Sequence, residues 1–522
     1  MNITHPSPRL NPTESGENNV EFEGRLLYSR YSPEKGVLRT VDAFQPNGAS
    51  LVLAFSPLLG YGIKALLAKI PADSFVLGIE ADDALFEFSQ PFLKNFSCYE
   101  NFAYKNFKTS EDFGNFLEKE VNFGRFKTLQ FLNLSGGNFF HKDFYEKLCF
   151  LGENLIFSFW KNRITLISLG KLFCKNFFKN LSLLSRARPP AFRSIEAPIL
   201  VLGAGISCDE IFYSGILRKA NFFIIAVDVT AVALAKLGIP CNLIVLTEGQ
   251  QAIDKAFVGI SRNTSLLCDL ASRPAIARQF DHLGLTFLQF AQSKFLQRIS
   301  QEKFMPRPFS PLGSVGLDAM RMACLLRKGP DVPVIFSGID FSYPLGKSHF
   351  CGSAQSIVAN TNSRRLAPLQ SIPRREDLFE TSSPGFFSDK IMDAYGDLFR
   401  SYFACEKNVF DASFMERSPF EKISPGSIGD FSWGKKVTEQ PFQEKPFATK
   451  TEIQNFFATE KEKLILLEEK IRCGYYKETF QSLPKHDYLY LHFPDGHNPK
   501  AESNFMNRVA TQIREFIPLM KN

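Results

Sequence analysis

At 522 residues and 59.0 kDa the chain is too long for one ordinary core, and its 44% hydrophobic, 22% charged composition is that of a globular protein of two or three domains. A net charge of +7 is modest over this length and requires no nucleic-acid partner. Ten cysteines lie singly without a C-x-x-C pair, which excludes a disulfide scaffold or zinc ribbon and fits a reducing cytoplasm.

Residues 1–20 are polar and proline-dotted with no apolar stretch, and read as a disordered tail and not a signal peptide. Over 21–150 a smaller N-terminal α/β domain is expected. There "ASLVLAFSPLLGYGIKALLAKI" reads as strand, Gly60–Gly62 turn and helix, and "SFVLGIEADDALFEF" as a second strand ending in Glu80, Asp82 and Asp83. A helical connector follows over 151–197. It holds the most membrane-like segment of the chain, but charges at Lys161, Arg163, Lys171, Lys175 and Lys179 interrupt it, so no run reaches the roughly 18 to 20 apolar residues of a membrane span. The last three lysines are spaced by four, as on one face of a helix. "SRARPPAFRSIEAP" ends the connector.

From 198 to 352 apolar strands ("ILVLGA", "FFIIAVD", "NLIVLT", "SLLCDL", "TFLQFA", "VPVIFSG") alternate with helical lengths. Strands apolar on both faces imply a mostly parallel sheet covered by helices, a doubly wound Rossmann-like central domain whose ligand sits at the carboxyl ends of the strands. Over 353–522 the pattern gives a long polar loop or lid, "SAQSIVANTNSRRLAPLQSIPRREDLFETSSPG", and then a mainly helical C-terminal region, with helices around 387–405 and 450–474.

The chemistry gathers at strand ends. Gly203, Gly205 and Ser207 in "PILVLGAGISCDE" make a strand-to-helix turn suited to a phosphate. A dinucleotide fingerprint would need a third glycine where Cys208 stands, while Asp228 occupies the place of a ribose-binding acid. "NLIVLTEGQ" ends in Thr247, Glu248 and Gln250, and "VIFSGIDFSYPLGKSHF" carries Asp340 and, on its loop, His349 as acid or base candidates. In "PLGSVGLDAMRMACLLRK", Gly313 and Ser314 stand at a helix start, either as a cap or as a second anion-binding turn. No P-loop and no Gly-x-Ser-x-Gly elbow occurs.

In order and spacing, "LLYSRYSPEKGVLR", "LLGYGIKALLAKIP…VLGIEADDALFEF", "PILVLGAGISCDE", "IIAVDVTAVALAKLGIPCNLIVLTEGQ", "LGSVGLDAM" and "FSGIDFSYPLGKSHFCG" resemble the motility-associated factor (Maf) family. Its members are bacterial flagellin glycosyltransferases with a 6-hydroxymethylpterin pyrophosphokinase-like central domain. The resemblance covers about residues 20–420 and implies transfer of a nonulosonic acid of the pseudaminic or legionaminic type, from a CMP-sugar to serine or threonine of flagellin. It implies Gly203, Gly205 and Ser207 at the nucleotide phosphate, with Asp228, Thr247 and Gln250 near ribose or base. Gly313 and Ser314 would meet sugar or phosphate, and Asp340, Glu248 and His349 would position a carboxylate or act as base. The donor is then a substrate, with no tightly bound cofactor and no required metal; the partners are flagellin and a nucleotide-sugar, with no nucleic acid and no membrane span, and the location is cytoplasmic. Two other readings stay open at this point. One is an ATP-dependent pterin pyrophosphokinase-like transferase, and the other a flagellin-binding chaperone with a degenerate site.

Overall fold

The computed structural model describes residues 7–121, 123–260, 264–280, 284–289, 293–364 and 378–520. Contacts divide the chain into two units, one of residues 1–168 with 493–498 and one of residues 169–492 with 499–522.

The first unit opens with a three-stranded antiparallel sheet, β1 (Arg9–Pro12), β2 (Asn18–Phe22) and β3 (Arg25–Leu26). Residues 7–20 were expected in a disordered tail and are instead ordered, because Val20 and Phe22 are buried and so is the Asn19 amide. Asn19 donates to the carbonyls of Tyr28 and Ser29 and accepts from the N–H of Tyr28, which fixes the return of the chain. Residues 1–6 lie outside the described ones.

There follow α1 (Pro33–Ala43), β4 (Ser50–Phe55), α2 (Ile63–Lys69), β5 (Phe75–Ile79), α3 (Asp83–Leu93), β6 (Phe102–Lys105), α4 (Ser110–Phe116), β7 (Thr128–Asn133) and α5 (Lys142–Leu181), whose residues from 169 on belong to the second unit. The strands form a parallel sheet in the order β6-β5-β4-β7. Alternation along β4 divides the core, with Val52 and Ala54 on one face and Leu51, Leu53 and Phe55 on the other. Asp82, expected at a strand end, caps α3 by accepting the Leu85 N–H at 3.0 Å.

The second unit contains β8 (Ile199–Leu202), α6 (Cys208–Ser214), β9 (Phe223–Val227), α7 (Asp228–Lys236), β10 (Leu243–Leu246), β11 (Ser265–Asp269), α8 (Pro274–Ala277), β12 (Leu285–Leu288), α9 (Lys294–Gln301), α10 (Val315–Leu326) and β13 (Val334–Ser337). Beyond these come β14 (Tyr343–Pro344), α11 (Ala354–Asn362), β15 (Phe379–Glu380), β16 (Phe386–Ser388), α12 (Lys390–Phe403), β17 (Val409–Asp411), β18 (Glu421–Lys422), α13 (Lys450–Arg472), α14 (Tyr476–Ser482) and α15 (Ser503–Phe516).

Its eight-stranded sheet runs β12-β11-β10-β9-β8-β13-β17-β18 with every neighbouring pair parallel. The chain starts in the middle at β8, winds outward to β12, then crosses back to β13 on the other side. The order therefore reverses between β8 and β13, and the carboxyl ends at such a switch point are where sheets of this kind form their crevice. Every residue of β8 through β13 is buried, as a doubly wound sheet requires. The sheet also takes in β17 and β18 from the region expected to be mainly helical. The expected long loop contains α11, capped by Ser353, and its residues 365–377 lie outside the described ones.

Two buried asparagines of α5 hold the loops at the carboxyl edge. Asn176 donates to the carbonyls of Gly249 and Ala271, and Asn180 to those of Leu270 and Ser272. Among the described residues no helix is long and apolar enough to cross a membrane.

Glu460 of α13 is buried and accepts from Arg298 at 2.7 Å, Tyr488 at 2.8 Å and the His486 ring at 2.9 Å. Burial pushes its carboxyl up, but the bonds from His486 and Arg298 outweigh that and hold it down at about 2. Glu460→Ala leaves the largely buried Arg298 charge without its counter-ion. It should destabilise the second unit by about 3–5 kcal/mol, read as a shift of its urea transition.

Candidate functional site

The crevice is built from two turns locked into each other. After β8 the chain passes through Gly203 and Gly205; after β13 it passes through Gly338, whose φ of +73° is left-handed. The Gly203 N–H donates to the Ser337 carbonyl and the Gly205 N–H to the Gly338 carbonyl, both at 2.8 Å. A Cβ on Gly203 would lie 2.6 Å from the Gly338 carbonyl carbon, and one on Gly205 would overlap the Asp340 carboxylate and stand 2.9 Å from the Gly338 oxygen. A Cβ on Gly338 would meet Cys208 Sγ at 2.5 Å. The first glycines are thus required by the neighbouring strand's backbone, and Cys208 stands where it does because it packs there.

Ser207 and Asp340 are the bolt between these turns, and both are buried. Ser207 Oγ donates to Asp340 Oδ1 at 2.6 Å and accepts from the Gly338 N–H at 2.7 Å and the Ser337 hydroxyl at 3.1 Å. Asp340 also accepts from the Ser207 N–H at 3.1 Å and the Phe414 N–H at 2.9 Å. Burial raises the Asp340 carboxyl above its ordinary range, against the pull of these donors. Both side chains are occupied within the protein.

Around this bolt the other predicted residues assemble. Thr230, in the first turn of α7, donates to the Gly203 carbonyl at 2.6 Å and so sets Asp228, at the end of β9, beside the turn. Burial, opposed by the bond from the Val229 N–H and helped by the charge of Glu248, raises the Asp228 carboxyl to about 7. Thr247 and Glu248 are half-buried at the end of β10, and the exposed Gln250 gives its N–H to Glu248 Oε1 at 2.7 Å. The loop holding His349 closes over the turn. The Phe350 N–H reaches the Ala204 carbonyl at 3.2 Å, the Cys351 N–H reaches Asp209 Oδ1 at 2.9 Å, and Lys347 pairs with Asp209 at 2.8 Å. Burial lowers the His349 pKa, which favours its neutral form.

Gly313 lies under Tyr395 of α12, where a Cβ would stand 2.7 Å from the ring, and Gly316 faces Ile339, the residue that also abuts Gly203. Ser314 occupies the N-cap position of α10 without a side-chain bond to the helix. Next to Asp340 opens a cavity of about 280 Å3 that reaches Ser382 and Ser388, Arg400 of α12, and Glu416 and Arg417. Phe341 and Arg417, both on its wall, have left-handed φ values of +51° and +53°. Burial pushes Glu416 up, but donors from Ser382 and Ser383 outweigh it and hold it at about 2, a fixed anion. Among the described residues no cluster of three or more acidic, histidine or cysteine side chains could hold a metal.

Sequence patterns missed Thr230, Asp209, Gly338, Arg400, Glu416 and Arg417 as members of this site. Asp209 and Gly338 stood inside quoted motifs, whereas Arg400, Glu416 and Arg417 arrive from far along the chain with no local signature.

Fold and crevice define a two-unit α/β protein whose larger unit is doubly wound, with a switch-point site between β8 and β13. No family model matches the chain. It is 27% identical to an uncharacterized protein of Treponema pallidum (strain Nichols), over 98% of this chain and 95% of that one. Its fold is similar to that of a solved MAf glycosyltransferase from Magnetospirillum magneticum AMB-1, with a TM-score of 0.54 and 14% identity over 99% of this chain and 92% of the other. At that identity the likeness speaks for the fold.

Two outcomes follow from the geometry. Gly205→Ala drives a methyl into Asp340 and should cost about 2–3 kcal/mol in urea unfolding, as an overpacked core substitution does. Asp228→Asn should change stability with pH in a defined direction. The folded pKa of Asp228 is raised, so the wild-type contribution is present at low pH and is lost as pH climbs towards about 7. The melting temperature of the variant relative to wild type should therefore rise between about pH 4 and about pH 7 and stay level above that; a flat difference across this range would contradict the assignment.

Proposed function

We propose that the crevice takes a nucleotide-sugar and that the chain is a glycosyltransferase, moving a CMP-activated nonulosonic acid to serine or threonine of flagellin in the cytoplasm. The observation that carries the reading is the gathering of the motif residues at one switch point, in a chain that is similar along both units to a solved MAf glycosyltransferase. Within the turn, the N–H groups of Gly203, Gly205 and Ser207 are used internally, while those of Ala204 and Ile206 have no partner among the described residues. In this reading Ala204 and Ile206 donate to the donor phosphate, and Gly203, Gly205 and Ser207 hold them in place. Asp228 and Thr247 meet ribose or base, with Gln250 at the rim, and Gly313 and Ser314 face the sugar.

Transfer joins the acceptor oxygen to the anomeric carbon and breaks the bond from that carbon to the phosphate oxygen. The electron pair leaves with CMP, and the acceptor proton passes to a base. His349, favoured in its neutral form and carried on the loop that covers the turn, suits the base; Glu248 beside Asp228 is the second candidate. Asp340 is a positioning residue, since its oxygens already take three donors.

CMP at about 100 times its dissociation constant should stabilise the full chain by about 2.7 kcal/mol, visible as a raised melting temperature. Thr247→Val should weaken that response without lowering the ligand-free midpoint. Deleting the gene in its host should lower the intact mass of flagellin by the glycan; an unchanged mass, in a host whose flagellin is glycosylated, rules the transferase out.

A further inference from the structure

The second unit has a larger cavity away from the switch point, about 770 Å3, where the end of α5 and the segment after it meet the end of α8, the start of α13 and the segment after α15. Its charged lining is Lys179, Arg186, Arg278 and Lys450, and among the described residues no carboxylate lines it. The four-residue spacing of lysines on α5 makes the contrast plain. Lys171 and Lys175 both pair with Glu515, at 2.8 and 3.2 Å, whereas Lys179, one turn further, has no ion pair among the described residues, and neither have Arg278 and Lys450. Like charges held around one cavity repel, so this arrangement costs stability unless an anion occupies it. The 23-residue α13 begins at Lys450 with a capping box between Thr449 and Glu452, and its first residues Lys450, Ile453 and Gln454 line the cavity, so the positive end of its dipole lies at the wall.

The floor is apolar and already buried, through Leu183, Ile453 and Phe457. A surface that inserts into a bilayer presents protruding apolar side chains; here they lie at the bottom of a concavity. The volume is in the range of roughly 300–1,000 Å3 that small-molecule sites occupy, and a guanidinium with two ammonium groups suits phosphate oxygens. The geometry points to a binding site for a phosphorylated small molecule with an apolar body, its phosphate among Lys179, Arg278 and Lys450 and its apolar part on Leu183 and Phe457. Nothing in this site belongs to the switch-point crevice, and it stands whether or not the transferase reading does.

The test uses the full chain and calorimetric titration with phenyl phosphate, inorganic phosphate, phenol and phosphatidylglycerol vesicles. Phenyl phosphate should bind at least tenfold tighter than inorganic phosphate, and phenol should not bind. The triple variant Lys179→Ala/Arg278→Ala/Lys450→Ala should lose tenfold or more in phenyl phosphate affinity, melt without ligand at or above the wild-type midpoint, and keep its response to CMP. Single variants Arg278→Gln and Lys450→Gln, each removing one exposed charge, should give intermediate losses and report even if the triple variant folds poorly. Unchanged affinity in these variants, no binding of either phosphate by wild type, or binding to the vesicles alone overturns the proposal.

Discussion

Everything at the candidate site depends on how closely two backbones pass at the centre of the larger sheet. Where β8 and β13 end, Gly203 and Gly205 lie against Gly338 with no room for a Cβ on any of the three. Parallel strands that are hydrogen-bonded neighbours usually diverge into their loops. Here they stay in contact for several residues beyond the sheet, and the buried pair Ser207 and Asp340 fastens them. A buried carboxylate is tolerated because three donors reach it.

That fastening decides what remains free to meet a ligand. A glycine turn at a strand end presents several N–H groups, but most of these are consumed by the second turn. The N–H groups of Ala204 and Ile206 are left without a partner among the described residues, and the Ala204 carbonyl takes the Phe350 N–H from the loop that carries His349. The same bonds hold the two turns against each other. The residues with unusual backbone conformation, Phe341 and Arg417, fall on the cavity next to the bolt, where the surrounding packing can sustain them.

The doubly wound arrangement was legible because its signal is local and repeated: apolar runs such as "FFIIAV" and "NLIVLT" can be buried on both faces only in a covered parallel sheet. Legibility failed where burial depended on distant partners. Residues 9–22 look polar, yet Val20, Phe22 and the satisfied amide of Asn19 order them. β17 and β18 are too short to carry an alternation, and only the free edge of β13 makes them strands.

By itself, then, the sequence determined that a strand must run into a glycine turn at 203–205, that acids stand at the ends of β9 and β13, and that lysines repeat along one face of α5, since each of these is a matter of residue type and spacing. Only the tertiary structure decided what those residues do. Ser207 and Asp340 lie 133 positions apart and meet because the strand order reverses between them, which turns two apparent ligand groups into one internal bond. Likewise Lys175 finds Glu515, while Lys179 meets no counter-ion among the described residues, a difference set by which segments fold back against successive turns of one helix. Spacing fixes the face a side chain occupies; the partner on that face comes from elsewhere in the chain.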